Sequence, residues 1–168
     1  VRDQDPLFVS DMAAGALFSM VATQAFLFAY IWSSPKAGPV GATALAIAAW
    51  FIFAVPFSLV SHHLVLGVLT FVAVTLLTRL VGRRLVLPLA PIATPTRWAA
   101  LIVRGIAAGI LVGVVTLLSP MLGPALAGAL LGFPIGFCVI LLSLNLDHGS
   151  TIAGRTAYAG LLGVVSLA

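Results

Sequence analysis

The sequence predicts an all-α integral membrane protein of six transmembrane helices, arranged as two inverted three-helix repeats. Three observations carry that expectation. The first is composition: 62% of the 168 residues are hydrophobic and 7% are charged, with a mean hydropathy of +1.24. A soluble domain carries about 45–50% apolar and about 25% charged residues. Eight basic and four acidic side chains cannot cover a water-facing surface, which excludes a soluble enzyme, a nucleic-acid binder and a disordered chain. The second is the recurrence of apolar runs close to the roughly 20 residues that a spanning helix needs. The third is an internal repeat at an offset of 85 residues.

The spans follow in order. The first runs from about Met12 to Trp32, with Asp11 as its N-cap and Tyr30 and Trp32 placed for an aromatic belt. Pro35-Lys36-Ala37-Gly38-Pro39 is the turn that ends it. The second runs from Val40 to Val60, with a kink expected at Pro56, and Ser61-His62-His63 closes it. The third runs from Leu64 to Val81. A basic, proline-rich linker occupies residues 82–97 and separates the repeats, residues 1–81 and 98–168. The fourth span is Trp98 to Leu118. The fifth is Ala125 to Leu146, with a second kink expected at Pro134. Asp147-His148-Gly149-Ser150 is a turn, and the sixth span is Thr151 to Ala168. Continuous apolar runs of this kind exclude barrel strands, which alternate in polarity.

The repeat aligns Ser34–His63 with Ser119–His148 without a gap and gives ten identities in thirty positions, including the shared S-P-x-x-G-P turn. Three spans per half is an odd number, so the second half enters the membrane from the opposite side. Such inverted repeats are one construction of secondary transporters.

Sidedness comes from the basic residues. Lys36, Arg79, Arg83, Arg84, Arg97, Arg104 and Arg155 share one side, and Arg2 stands alone on the other. The positive-inside rule makes the 82–97 linker cytoplasmic and places both termini outside. The acidic start argues against a cleaved secretory leader. The setting expected is a bacterial inner membrane, with the lipid bilayer and either a homodimer or a larger membrane complex as partners, and no nucleic acid.

Residues that could carry chemistry are sparse. Arg104 and Arg155 lie inside spans, where charge is a functional candidate unless it snorkels to the interface. His62 and His63 match Asp147 and His148 through the repeat, on opposite faces, and histidine can change charge near neutral pH. These six are the substrate or proton candidates. Gly105, Gly109 and Gly113, and then Gly128, Gly132 and Gly136, recur every four residues, as in helix-packing ridges. Thr23, Gln24 and Asn145 are polar groups placed to hydrogen-bond between helices. No catalytic motif and no metal-ligand spacing occurs, so neither an enzyme nor a metal site is expected. Cys138 is alone, a packed thiol. No cofactor is expected; the alternative is a haem or chlorophyll held by a single histidine.

Leu122 to Leu167 contains L-G-P-A-L-A-G-A-L-L-G-F-P and later D-H-G-S-T-I-A-G-R-T-A-Y-A-G-L-L-G. This stretch resembles the small bacterial inner-membrane proteins of the GlpM-like kind, through Phe133-Pro134, Gly149 and Arg155. The resemblance covers about a quarter of the chain, and the first half lacks the Phe-Pro pair. It implies a bacterial inner-membrane setting and little mechanism. The function expected is a small-solute transporter or permease-like protein. The alternative is a non-catalytic accessory subunit of a respiratory or photosynthetic complex, binding lipid or pigment.

Overall fold

The computed structural model describes residues 6–59, 64–85, 98–118 and 132–166. Those residues form five helices in chain order: α1 (Pro6–Leu59), α2 (Leu64–Leu85), α3 (Trp98–Leu118), α4 (Ile135–His148) and α5 (Ser150–Ser166). No strand occurs among them. By length and composition, Leu17–Pro56 within α1 is long and apolar enough to cross a membrane, and Val65–Val81 and Ile135–His148 are shorter apolar stretches.

The 54 residues of α1 are two arms joined at Gly38, the non-helical residue inside it, with φ 65° and ψ 175°. Gly38 stands where a helix-ending glycine stands, and Pro39 occupies the first position of the next helix, where its missing N–H costs nothing. The chain reverses there. A straight helix would hold Tyr30 and Trp50 about 30 Å apart. Yet Tyr30 Oη donates to the carbonyl of Leu141, and Trp50 meets the ring of Phe133 at 5.0 Å. Those partners lie only eight residues apart along one element, about 12 Å if helical. The outgoing arm (residues 6–37) and the returning arm (residues 39–59) thus correspond to the first two expected spans. The five-residue turn is in fact a one-residue joint.

A second joint of the same kind connects α4 to α5. Gly149 has φ 84° and ψ 169°, and its N–H donates to the carbonyl of Asn145 at 3.1 Å. A Cβ built on Gly160 of α5 would lie 2.7 Å from the Phe137 ring of α4, so this pair is also folded back on itself.

The outgoing arm is the centre of the bundle. Phe18, Val21, Ala22, Gln24, Phe26, Leu27, Tyr30, Ile31, Ser33 and Ser34 are all buried, and they point in many directions around the helix. Gln24 faces α2 through Thr75, Leu27 and Ser34 lie beside Gly160 and Gly154 of α5, and Tyr30 faces α4. The returning arm adds a stripe at four-residue spacing, Ala42, Ala46, Trp50 and Ala54. α3 packs on α4 at the edge of the bundle.

Several expectations are corrected. Asp11 lies inside α1 and not at its N-cap. Tyr30 is fully buried, leaving Trp32, at 52% exposure, as the aromatic at that edge. Pro56, where a kink is expected, sits within the last turn of α1 with helical backbone on both sides. Pro134 is not an internal kink, because α4 starts after it, with Gly132 in a turn. Proline lacks the N–H that would continue a helix through it and disfavours helical backbone before it. Its counterpart in the repeat, Ala49, has neither defect and is helical. A two-fold relation between the halves would set α2 against α3 as it sets the outgoing arm against α5. Among the described residues α2 and α3 form no such packed pair.

The glycine ridge is also corrected. Gly105, Gly109, Gly113 and Gly136 are exposed, and a Cβ added at any of them meets nothing within 4 Å. Among the described residues they pack against no other helix; Gly128 lies outside those residues and Gly132 is half-buried. Close approach occurs instead at Gly160. Gly160→Ala is expected to lower stability by about 1 kcal/mol in a detergent-micelle melt, because the Phe137 ring must swing aside.

Candidate functional site

The described residues bury hydrogen-bonding side chains and expose hydrocarbon. Gln24, Ser33, Ser34, Thr43, Thr75, Thr78 and Asn145 are inside, while Val65, Leu69, Leu76, Leu77 and Leu80 of α2 and Ile102, Ile106, Ile110 and Leu117 of α3 face out. α2 shows the logic in one helix. Its buried stripe is Gly67, Phe71, Thr75 and Thr78, and its exposed faces are leucine and valine.

Two polar clusters sit on the outgoing arm. In the first, Gln24 Nε2 donates to Thr75 Oγ1 at 2.7 Å. In the second, Asn145 Nδ2 donates to Tyr30 Oη at 3.0 Å, and Tyr30 Oη donates to the Leu141 carbonyl at 2.9 Å. Tyr30 is therefore both acceptor and donor, and it ties the last turns of α4 to the central helix. Most hydroxyls are satisfied locally. Ser33, Thr43 and Thr78 donate to carbonyls one turn back, at 2.7, 2.9 and 2.8 Å. Gln24 Oε1 and Trp50 Nε1 are buried without a hydrogen-bond partner. A buried polar group left so costs about 1–3 kcal/mol. The Trp50 ring is fixed edge-on by Phe51 at 5.2 Å and Phe133 at 5.0 Å.

The sequence candidates divide. His62 and His63 lie outside the described residues. Arg104 is in the second turn of α3, the helix that packs on α4. Asp147 is exposed and His148 half-buried at the end of α4, and Arg155 is half-buried in the second turn of α5. These last three gather at one end of the bundle, because Gly154 lies against Ser34, four residues before Gly38. Lys36 is at that end too. Arg79 of α2 lies one turn beyond Thr75 in the same direction, since α2 runs back from the end of the returning arm. The shared side expected for the basic residues is thus a shared end for Lys36, Arg79 and Arg155.

Sequence reasoning placed Thr23, Gln24 and Asn145 as interhelical bonders; Gln24 and Asn145 are, whereas Thr23 Oγ1 donates to the Ser19 carbonyl of its own helix at 3.1 Å. It missed Tyr30, Thr75 and Trp50. The signal for Tyr30 was ambiguous, since a tyrosine two residues from a helix edge suits an interface as well as a core. Among the described residues no group of three or more His, Cys, Asp or Glu side chains could hold a metal ion. Cys138 is buried as a free thiol. Compared with known proteins, the chain matches no family model, no curated protein and no solved structure.

Proposed function

We propose that this chain is a polytopic bacterial inner-membrane protein that transports a small polar solute. The reversed polarity supports the membrane part: amide and hydroxyl groups are inside, and valine and leucine cover the outside. Two helix lengths agree: α2 has 22 residues and α3 has 21, each about 32 Å long, against a hydrocarbon core of about 30 Å. α4, with 14 residues, is shorter than that core. The six proposed spans are the two arms of α1 and α2 to α5. The gathered Lys36, Arg79 and Arg155 support a cytoplasmic assignment for that end.

The observation that carries transport is the polar capacity at the centre of the bundle. Gln24 Oε1 and Trp50 Nε1 are an acceptor and a donor on the two arms of α1, both buried and both without a partner. A permease needs such groups to replace the hydration of its cargo. Reconstituted protein should show flux of some member of a panel of small polar solutes, with and without a proton gradient. Gln24→Leu should reduce that flux at least tenfold, and His148→Ala or Arg155→Ala should change its dependence on the gradient. An absence of flux across the panel counts against this reading.

One observation favours a second reading, an accessory subunit of a larger membrane complex. Among the described residues α3 packs mainly on α4, and it exposes Ile102, Ile106, Ile110, Val112, Val114 and Leu117. Native purification separates the two readings: constant co-migration with a large assembly, or visible absorbance, supports the subunit.

A further inference from the structure

The outgoing arm of α1 is covered on three sides by named contacts. Gln24 faces α2, Leu27 and Ser34 face α5, and Tyr30 faces α4. The returning arm closes beside α4, because its Trp50 sits on Phe133 at the start of that element. One face remains less covered, between α2 and the returning arm. It carries Ala25, Phe28 and Ala29, all half-buried, and then Trp32 and Lys36, both exposed. At about 100° per residue these five fall within one arc of about 100°. Small side chains at Ala25 and Ala29 make the floor a shallow channel along the helix. Exposed leucine and valine continue the apolar surface on α2.

The mouth of this channel is basic. Lys36 Nζ lies 4.3 Å from the centroid of the Trp32 ring. The ring fixes the ammonium at the edge of the apolar surface, where it remains open to an anion. Arg79, also exposed, lies four residues beyond Thr75 on α2, whereas Lys36 lies twelve beyond Gln24, so Arg79 stands about 12 Å short of the mouth and takes no part in it. An apolar channel that ends in an indole and a cation matches one chemistry, an acyl chain joined to an anionic headgroup.

We propose that this face binds one anionic phospholipid. Its phosphate sits at Lys36, its glycerol region lies at the Trp32 ring, and one acyl chain runs along Phe28, Ala29 and Ala25. The inference rests on the membrane reading above, and the test separates the two. Each basic residue near an anionic headgroup strengthens binding about fivefold.

The experiment uses the full chain with Trp98→Phe in phosphatidylcholine vesicles. Phosphatidylglycerol or phosphatidylcholine, brominated high on the acyl chain, is titrated in while tryptophan emission is read. A parallel sample that also carries Trp32→Phe isolates the Trp32 signal from that of buried Trp50. The expected result is half-maximal quenching of Trp32 at a roughly fivefold or greater lower mole fraction of brominated phosphatidylglycerol. Lys36→Ala should remove most of that preference and Lys36→Arg should keep it; both positions are exposed, so folding is not at stake. Equal quenching by the two lipids overturns the headgroup site and leaves the membrane reading standing. A preference that survives Lys36→Ala also overturns it. No quenching of Trp32 by either lipid overturns both readings.

Discussion

Gly38→Ala and Gly149→Ala should each cost about 1–3 kcal/mol, and the pair together should prevent purification of a folded monomer. Both glycines combine a positive φ with a ψ near 170° (65° and 175° at Gly38, 84° and 169° at Gly149). That backbone region is essentially closed to residues with a Cβ. The strain is conformational and not steric crowding, since a Cβ at either position meets nothing within 4 Å. A larger, more flexible side chain therefore gives no relief, and serine and valine should behave like alanine. At an ordinary tight turn a neighbouring residue could absorb the change. Here Pro39 follows Gly38 at once, and Ser150 already begins α5 after Gly149. The measurement is a thermal melt of the purified protein followed by circular dichroism. Variants that melt within about 1 °C of the parent would contradict the claim that these two residues alone turn the chain.

Tyr30→Phe is expected to cost about 1–2 kcal/mol, and Asn145→Leu less. Removing the hydroxyl leaves Asn145 Nδ2 buried without its acceptor, although the Leu141 carbonyl loses only a second donor. Removing the amide leaves Tyr30 still donating to Leu141. A leucine also fills the space with hydrocarbon, which is why replacing both partners is cheaper than stranding one. The double variant Tyr30→Phe/Asn145→Leu should then be more stable than the sum of the single changes implies. Couplings measured for such pairs inside bilayers average about 0.6 kcal/mol. A double-mutant cycle on reversible detergent unfolding reads this directly. Strict additivity would mean that the two side chains do not act as a unit.

How much of this was legible in the sequence varies by element. α3 begins at Trp98 and ends at Leu118, the limits expected from the apolar run, because a charged or proline-rich stretch bounds it on both sides. The outgoing and returning arms were legible as two apolar helices. The manner of their connection was not, since a Pro/Gly-rich pentapeptide reads as a loop and only the coordinates show that four of its residues stay helical. Pro134 illustrates a different limit. Periodicity carried the expected helix straight through it, while its local cost starts α4 at Ile135. The glycine spacing on α3 was real as a pattern, but spacing says that a close approach is permitted and not that a partner is present. At the candidate site, Gln24 and Asn145 were legible because polar groups in an apolar span must be satisfied. Trp50 and Tyr30 were not, because aromatic residues suit cores and interfaces alike.

The two single-glycine joints lie at the same end of the bundle, and neither leaves a loop between the helices it connects. A protease needs an extended stretch of chain to draw into its cleft, and an antibody against a linear epitope needs the same. Neither joint offers one, although Lys36 and Arg155 provide the residues trypsin would cut after. Tags spliced in at Gly38 or Gly149 should break the helical pairs they join and so report misfolding in place of sidedness. Labelling by small membrane-impermeant reagents at Lys36 avoids that difficulty, because a lysine amine reacts where it stands and requires no backbone to be lifted from the surface.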